Sequence, residues 1–228
     1  MDSTDNSLRD QVHQNFNNTN PNELDNMEST NKQISAKYLS MTIDEIIDLI
    51  SEQLQKGKDW NVIKQSVLDY LNNCSINSRE IYNWLLKNQK NSNSIFILGY
   101  FNYYGIETTK DRKEAFNLFI NATKEDHILA QYCVGGCYEF GYGITKNEKL
   151  AFEYYEKLAN EDYVIGQFKV GWFYKNGMGV KKDSKMAVDW YKKAANNGHL
   201  IAMHNLGLLY KNGNGNENRC CIIYILII

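Results

Sequence analysis

Cys133 and Cys137 stand four residues apart, a spacing that would put two thiols on one side of a helix. Thiolates so placed could hold a soft metal, but a four-ligand zinc site needs more than two ligands. No Cys-Xaa-Xaa-Cys pair and no histidine partner accompanies them, so both read as buried or half-buried thiols. His127, His199 and His204 could serve as bases or ligands. Nothing in the sequence places a carboxylate or nucleophile beside any of them, and no catalytic role follows. Three Gly-Xaa-Gly loops begin at Gly141, Gly177 and Gly213, the spacing from which phosphate cradles are built. None continues to a third glycine or to Gly-Lys-Ser/Thr, and each follows a helical pattern where a cradle needs a strand, so they read as turns. No His-Arg-Asp or Asp-Phe-Gly triplet of a protein kinase occurs. These residues predict no enzyme, no cofactor and no bound metal.

Composition narrows the classes further. The 228 residues are 43% hydrophobic and 13% aromatic, enough for a real core, and a single proline leaves long stretches free to be helical. A formal charge of −2 gives no reason to expect nucleic acid or an anionic membrane as partner. The N-terminus, MDSTDNSLRD, has neither a basic start nor an apolar run, so no secretory signal is read. No stretch approaches the roughly 18 apolar residues of a membrane helix. Five cysteines (Cys74, Cys133, Cys137, Cys220, Cys221) show no even framework, which predicts reduced thiols in the cytoplasm. The glycosylation patterns at Asn17, Asn73 and Asn121 carry little weight without a signal.

Residues 1–36 are rich in Asn, Asp, Ser, Thr and Gln without apolar period, and read as a disordered tail. Ile43, Ile46, Ile47, Ile50 and Leu54 then follow helical spacing, with Thr42 as cap and Gly57 as stop. A second helix is predicted from Asp59, carrying Trp60, Ile63, Val67 and Leu71. Asn77 with Glu80 resembles a capping box that opens a third, carrying Ile81, Trp84 and Leu85.

From there the chain repeats itself. Leu98-Gly99, Val134-Gly135, Val170-Gly171 and Leu206-Gly207 follow one another at steps of 36 residues. Gly105, Gly141, Gly177 and Gly213 keep the same step, as do Ala115, Ala151 and Ala187, and Phe119, Tyr155 and Tyr191. The first helix of each unit carries the mid-helix glycine, which costs roughly 1 kcal/mol of helix propensity. That cost predicts a neighbouring helix packed against bare backbone. The helix stops at Gly141 or Gly177, and Asn147 or Asp183 can cap the second helix. That helix presents Ala151, Tyr154, Tyr155 and Leu158, or Ala187, Trp190, Tyr191 and Ala194, as one apolar face.

The runs AMHNLGLLYKNGNG and GQFKVGWFYKNGMGVKKDSKMAVDWYKKAANNGH resemble Sel1-like repeats, relatives of the tetratricopeptide repeats. The third unit, Val170 to Gly198, matches nearly every position of that pattern. The resemblance spans about residues 94–216 and implies an all-α fold, a right-handed superhelical solenoid of antiparallel helix pairs. Residues 37–93 form an N-terminal helical region, in which Asn77–Lys87 aligns with Asn147–Lys157 as a degenerate half-repeat. The first unit departs from the pattern at Asn102 and Glu107, which predicts a different loop. The fourth stops after Gly215, without its second helix. Cysteine-rich relatives join the two helices of each pair by disulfides, but the second helices here hold no cysteine.

The resemblance implies an adaptor or scaffold binding protein partners, with no nucleic acid and no membrane. A regulatory arm of a larger, kinase-linked signalling protein is the alternative. The first helices of such solenoids line the concave side. Opposite their packing stripe fall Ile97, Tyr100 and Tyr104, then Cys133, Gly136 and Phe140, then Lys169, Trp172 and Asn176, then Asn205, Leu208 and Asn212. Tyr100, Tyr104, Phe140, Lys169, Trp172, Asn176, Asn205 and Leu208 are the candidate partner-binding residues. Exposed aromatics there suit binding hot spots; equally, they could cover the chain's own N-terminal helices. Residues 217–228 end in an apolar, β-branched run that fits neither repeat nor membrane span, and read as a truncated or mispredicted gene end or as a docked tail.

Overall fold

The computed structural model describes residues 21–74 and 76–211, with side chains from residue 36 onward. Ten helices and no strand occur among these residues. They are α1 (Pro21–Gln55), α2 (Trp60–Asn73), α3 (Ser78–Lys87), α4 (Ser92–Tyr104), α5 (Arg112–Thr123), α6 (Ile128–Phe140), α7 (Glu148–Asn160), α8 (Val164–Asn176), α9 (Ser184–Asn196) and α10 (Leu200–Lys211). The chain divides into two compact units, Met1–Thr42 and Ile43–Ile228.

In the first unit, α1 starts at Pro21, inside the segment that composition reads as a disordered tail. Proline suits a first helical position, where its missing N–H would go unused. Thr42 is therefore no cap. It sits within the helix and donates its hydroxyl to the Tyr38 carbonyl at 3.1 Å, which satisfies it in place. Residues 1–20 and 212–228, with Gly213 and the apolar C-terminal run, lie outside the described residues.

The second unit is built from pairs. Each helix from α3 to α10 packs against its neighbours in sequence, as a solenoid requires. Asn147 and Asp183 cap α7 and α9 with side-chain oxygens, as their spacing predicts, and Asp111 caps α5 in the same way. Gly105, Gly141 and Gly177 end the first helices in the left-handed conformation.

The mid-helix glycines have a reason more specific than close helix approach. A Cβ on Gly99, Gly135 or Gly171 would lie 2.8, 2.6 or 2.7 Å from the ring of Phe119, Tyr155 or Tyr191. Each glycine thus leaves the space into which the aromatic of its own second helix lies. Around each ring Ala115, Ala151 and Ala187 are fully buried. Among the described residues nothing lies within 4 Å of such a Cβ on Gly207.

Units join through the second loop glycine. A Cβ on Gly143 would lie 2.0 Å from the Arg112 carbonyl, and one on Gly179 would lie 2.3 Å from that of Glu148, 36 residues on. Each loop therefore sits on the first turn of the preceding unit's second helix. Glu107 takes this place in the first unit. It keeps a positive φ of 59° and extends its carboxylate to Ser78 Oγ at 2.5 Å and Arg79 Nε at 3.0 Å, on the first turn of α3. This carboxylate ties the loop of the first unit to α3. The first loop also keeps its tie to the helix before it: Asp111 N–H donates to Asn102 O, as Asn147 does to Tyr138 and Asp183 to Tyr174. The tie uses backbone alone, so Asn102 leaves it intact.

Candidate protein-binding face

The first-helix face is open at some positions and covered at others. Tyr100 is 1% exposed and Ile97 fully buried. The Trp60 ring of α2 lies 6.3 Å from that of Tyr100 and 6.1 Å from that of Tyr132, so α2 covers this end. The turn after α1 reaches further, since a Cβ on Gly57 would lie 3.1 Å from His199 Cε1. Asn205 is buried as well and accepts from Lys175 Nζ at 3.2 Å. Tyr100 and Asn205 are thus not exposed candidates. Trp172 is half-buried and packs against both adjoining core clusters, so it belongs partly to the core.

Phe140 is 55% exposed and Leu208 38%. Tyr104 and Lys169 are half-buried and share with Phe140 the lining of one cavity, and Asn176 is exposed with its amide donating to the Trp172 carbonyl. Phe140 borders a cavity of about 490 Å³ whose walls include Trp60, Tyr104, Tyr132, Gly136 and Tyr142. Gly136 opens its floor, since a Cβ there would meet only the Tyr155 hydroxyl at 3.6 Å.

Chemistry inside the cavity is quiet at neutral pH. Burial pushes the Cys137 thiol up to about 12 against the opposing pull of Arg112, and burial also raises Cys133 well above its ordinary value. Both stay protonated and poorly nucleophilic. Burial raises the hydroxyls of Tyr100, Tyr104 and Tyr132 in the same way. Glu139, 3% exposed, is held by Lys169 Nζ at 2.7 Å and by the Tyr155 hydroxyl at 2.8 Å.

The histidines have structural work that spacing did not disclose. His127 and His199 are the N-caps of α6 and α10, each Nδ1 accepting from the backbone N–H three residues on, at 3.1 and 3.2 Å. Each ring stacks on a phenylalanine, Phe96 at 4.8 Å and Phe168 at 4.4 Å. Burial lowers both from 6.5 to about 4. His204 is exposed, although it stands in the repeat register of Phe96, Tyr132 and Phe168. The Phe96 and Phe168 rings are covered by Phe119 or Tyr191 and by the next unit's capping histidine.

No described helix is long and apolar enough to cross a membrane. No curated protein sequence matches the chain. Among solved structures it is similar to a Sel1 repeat protein from Oxalobacter formigenes, with a TM-score of 0.62 and 28% identity over 69% of this chain. A protective antigen present in uropathogenic Escherichia coli strains, displaying an SLR fold, aligns over 91% of this chain with a TM-score of 0.65 and 19% identity, a likeness of fold alone. The chain spans 64% and 48% of the lengths of these two proteins. The model of the Sel1 repeat matches residues 92–127, 128–163, 164–199 and 200–219, in register with the units described above. With more than half of its length in four consecutive matches, the chain belongs to the Sel1 repeat family.

Proposed function

We propose that the chain is an adaptor that holds a partner protein on the first-helix face of its repeats. The observation that carries this reading is Phe140, a large aromatic more than half exposed at the edge of an aromatic cavity. Burying such a ring against a partner gains roughly 25 cal/mol per Å² of apolar area, the kind of energy that hot spots supply. Leu208, two repeats further along the same face, extends the apolar surface. Tyr104, Lys169, Trp172 and Asn176 form its half-buried and polar surround. Cys133 and Cys137 are free thiols, which suits a reducing compartment such as the cytoplasm.

Affinity capture from the source cells with the wild-type chain and with Phe140→Ala/Leu208→Ala tests the proposal. The expected result is a set of proteins retained by the wild type and lost by the double variant at equal melting temperature. Identical capture by both chains contradicts it.

A further inference from the structure

The cations around the cavity are matched by too few anions. Lys64, Lys110, Arg112 and Lys169 line it, and Asp59 is the one carboxylate among the lining residues. Asp59 is engaged as the cap of α2, accepting from Asn61 N–H at 2.8 Å, and Lys169 is taken up by Glu139. No ion pair joins Lys64, Lys110 or Arg112 to another described residue. Two of them lie over rings instead: Lys64 is 5.7 Å from the centre of Tyr104, and Arg112 is 4.2 Å from that of Tyr142. The ring contact orders the guanidinium while leaving its N–H edge for a planar anion. Tyr100, which also lines the cavity, has a buried hydroxyl without a hydrogen-bond partner among the described residues.

We propose that this cavity binds an acidic segment of the partner protein, an Asp or Glu carboxylate meeting Lys110 and Arg112 while an apolar neighbour docks on Trp60 and Phe140. The inference rests on the adaptor reading and adds the partner's chemistry to it. A carboxylate fits because it gives charge-assisted, two-pronged hydrogen bonds to a guanidinium. The aromatic walls exclude water and strengthen each such contact. The overall charge of −2 makes this a local basic spot and gives no extended surface for a polyanion. Electrostatic complementarity of this sort sets partner choice and encounter rate.

The test is selection of a displayed random peptide library on the full chain, followed by titration of the best synthetic peptide onto three chains: wild type, Lys110→Glu/Arg112→Glu and Phe140→Ala. Acids at 110 and 112 lie at the N-terminus of α5, where negative charge favours the helix, so the charge-reversed chain should fold. The expected peptides combine Asp or Glu with Leu, Phe or Trp. Their affinity should fall at least about tenfold on the charge-reversed chain and fall with rising salt. Enriched peptides that are neutral or basic, or acidic ones indifferent to charge reversal, overturn the proposal. If such peptides are still lost on Phe140→Ala, the adaptor face survives and only its acidic specificity fails. A selection yielding nothing sensitive to either variant overturns both.

Discussion

Lys169 Nζ lies 2.7 Å from Glu139 Oε2, and the same oxygen accepts the Tyr155 hydroxyl, so one buried carboxylate joins α6, α7 and α8. Both charged side chains are largely removed from water, at 14% and 3% exposure. Replacing Lys169 by Met would strand the Glu139 charge, and an uncompensated buried charge costs roughly 3–5 kcal/mol. The denaturant midpoint should drop accordingly, and Lys169→Met/Glu139→Gln should recover most of the loss. A Lys169→Met chain as stable as one carrying Lys185→Met, an exposed position, would show that the pair holds nothing together.

Two glycines on the repeat helices should respond in opposite directions. Gly171→Ala places a methyl 2.7 Å from the Tyr191 ring, and the overpacking should cost about 1–3 kcal/mol. Gly136→Ala meets only the Tyr155 hydroxyl at 3.6 Å and should gain up to about 1 kcal/mol of helix propensity. Urea denaturation of the two chains reads the difference. Equal shifts would contradict the assignment of Gly171 to ring packing.

The capping histidines predict an acid-sensitive fold. Each is lowered from 6.5 to about 4 by burial, so between those values the unfolded chain binds more protons and stability rises with pH. Their contribution is whole above pH 6.5 and is lost as pH falls towards 4, about 2–3 kcal/mol for each histidine. Protonation also removes the lone pair that accepts the Ala130 or Ala202 N–H. Asn91, at the matching position of the first unit, caps α4 with an amide that does not titrate. A chain with His127→Asn and His199→Asn should therefore lose clearly less stability than wild type between pH 7 and about 4.5. Parallel losses would assign the acid sensitivity to other groups.

The repeat was legible because its markers are backbone requirements: Gly141 and Gly177 must turn left-handed, and Gly135 and Gly171 must clear a ring. Such needs recur at a fixed step and show in a single sequence. The role of His127 and His199 was not legible, since Asn91 and Tyr163 fill the same cap position and no common residue type marks it. The start of α1 at Pro21 was hidden because its first turns have no apolar period for a sequence reading to find. On the candidate face, periodicity put Tyr100 and Phe140 together. It could not tell that Trp60, from a region outside the repeats, covers the first and leaves the second open.

The adaptor reading is tested most directly by a photo-cross-linking benzoylphenylalanine placed once at Phe140 and once at Glu153, an exposed position on α7. Both chains would be irradiated in the source cells and their adducts weighed by mass spectrometry. A discrete protein adduct from position 140 that is absent from position 153 is the predicted result. Adducts equal at both positions, or confined to 153, would contradict a binding site on the first-helix face.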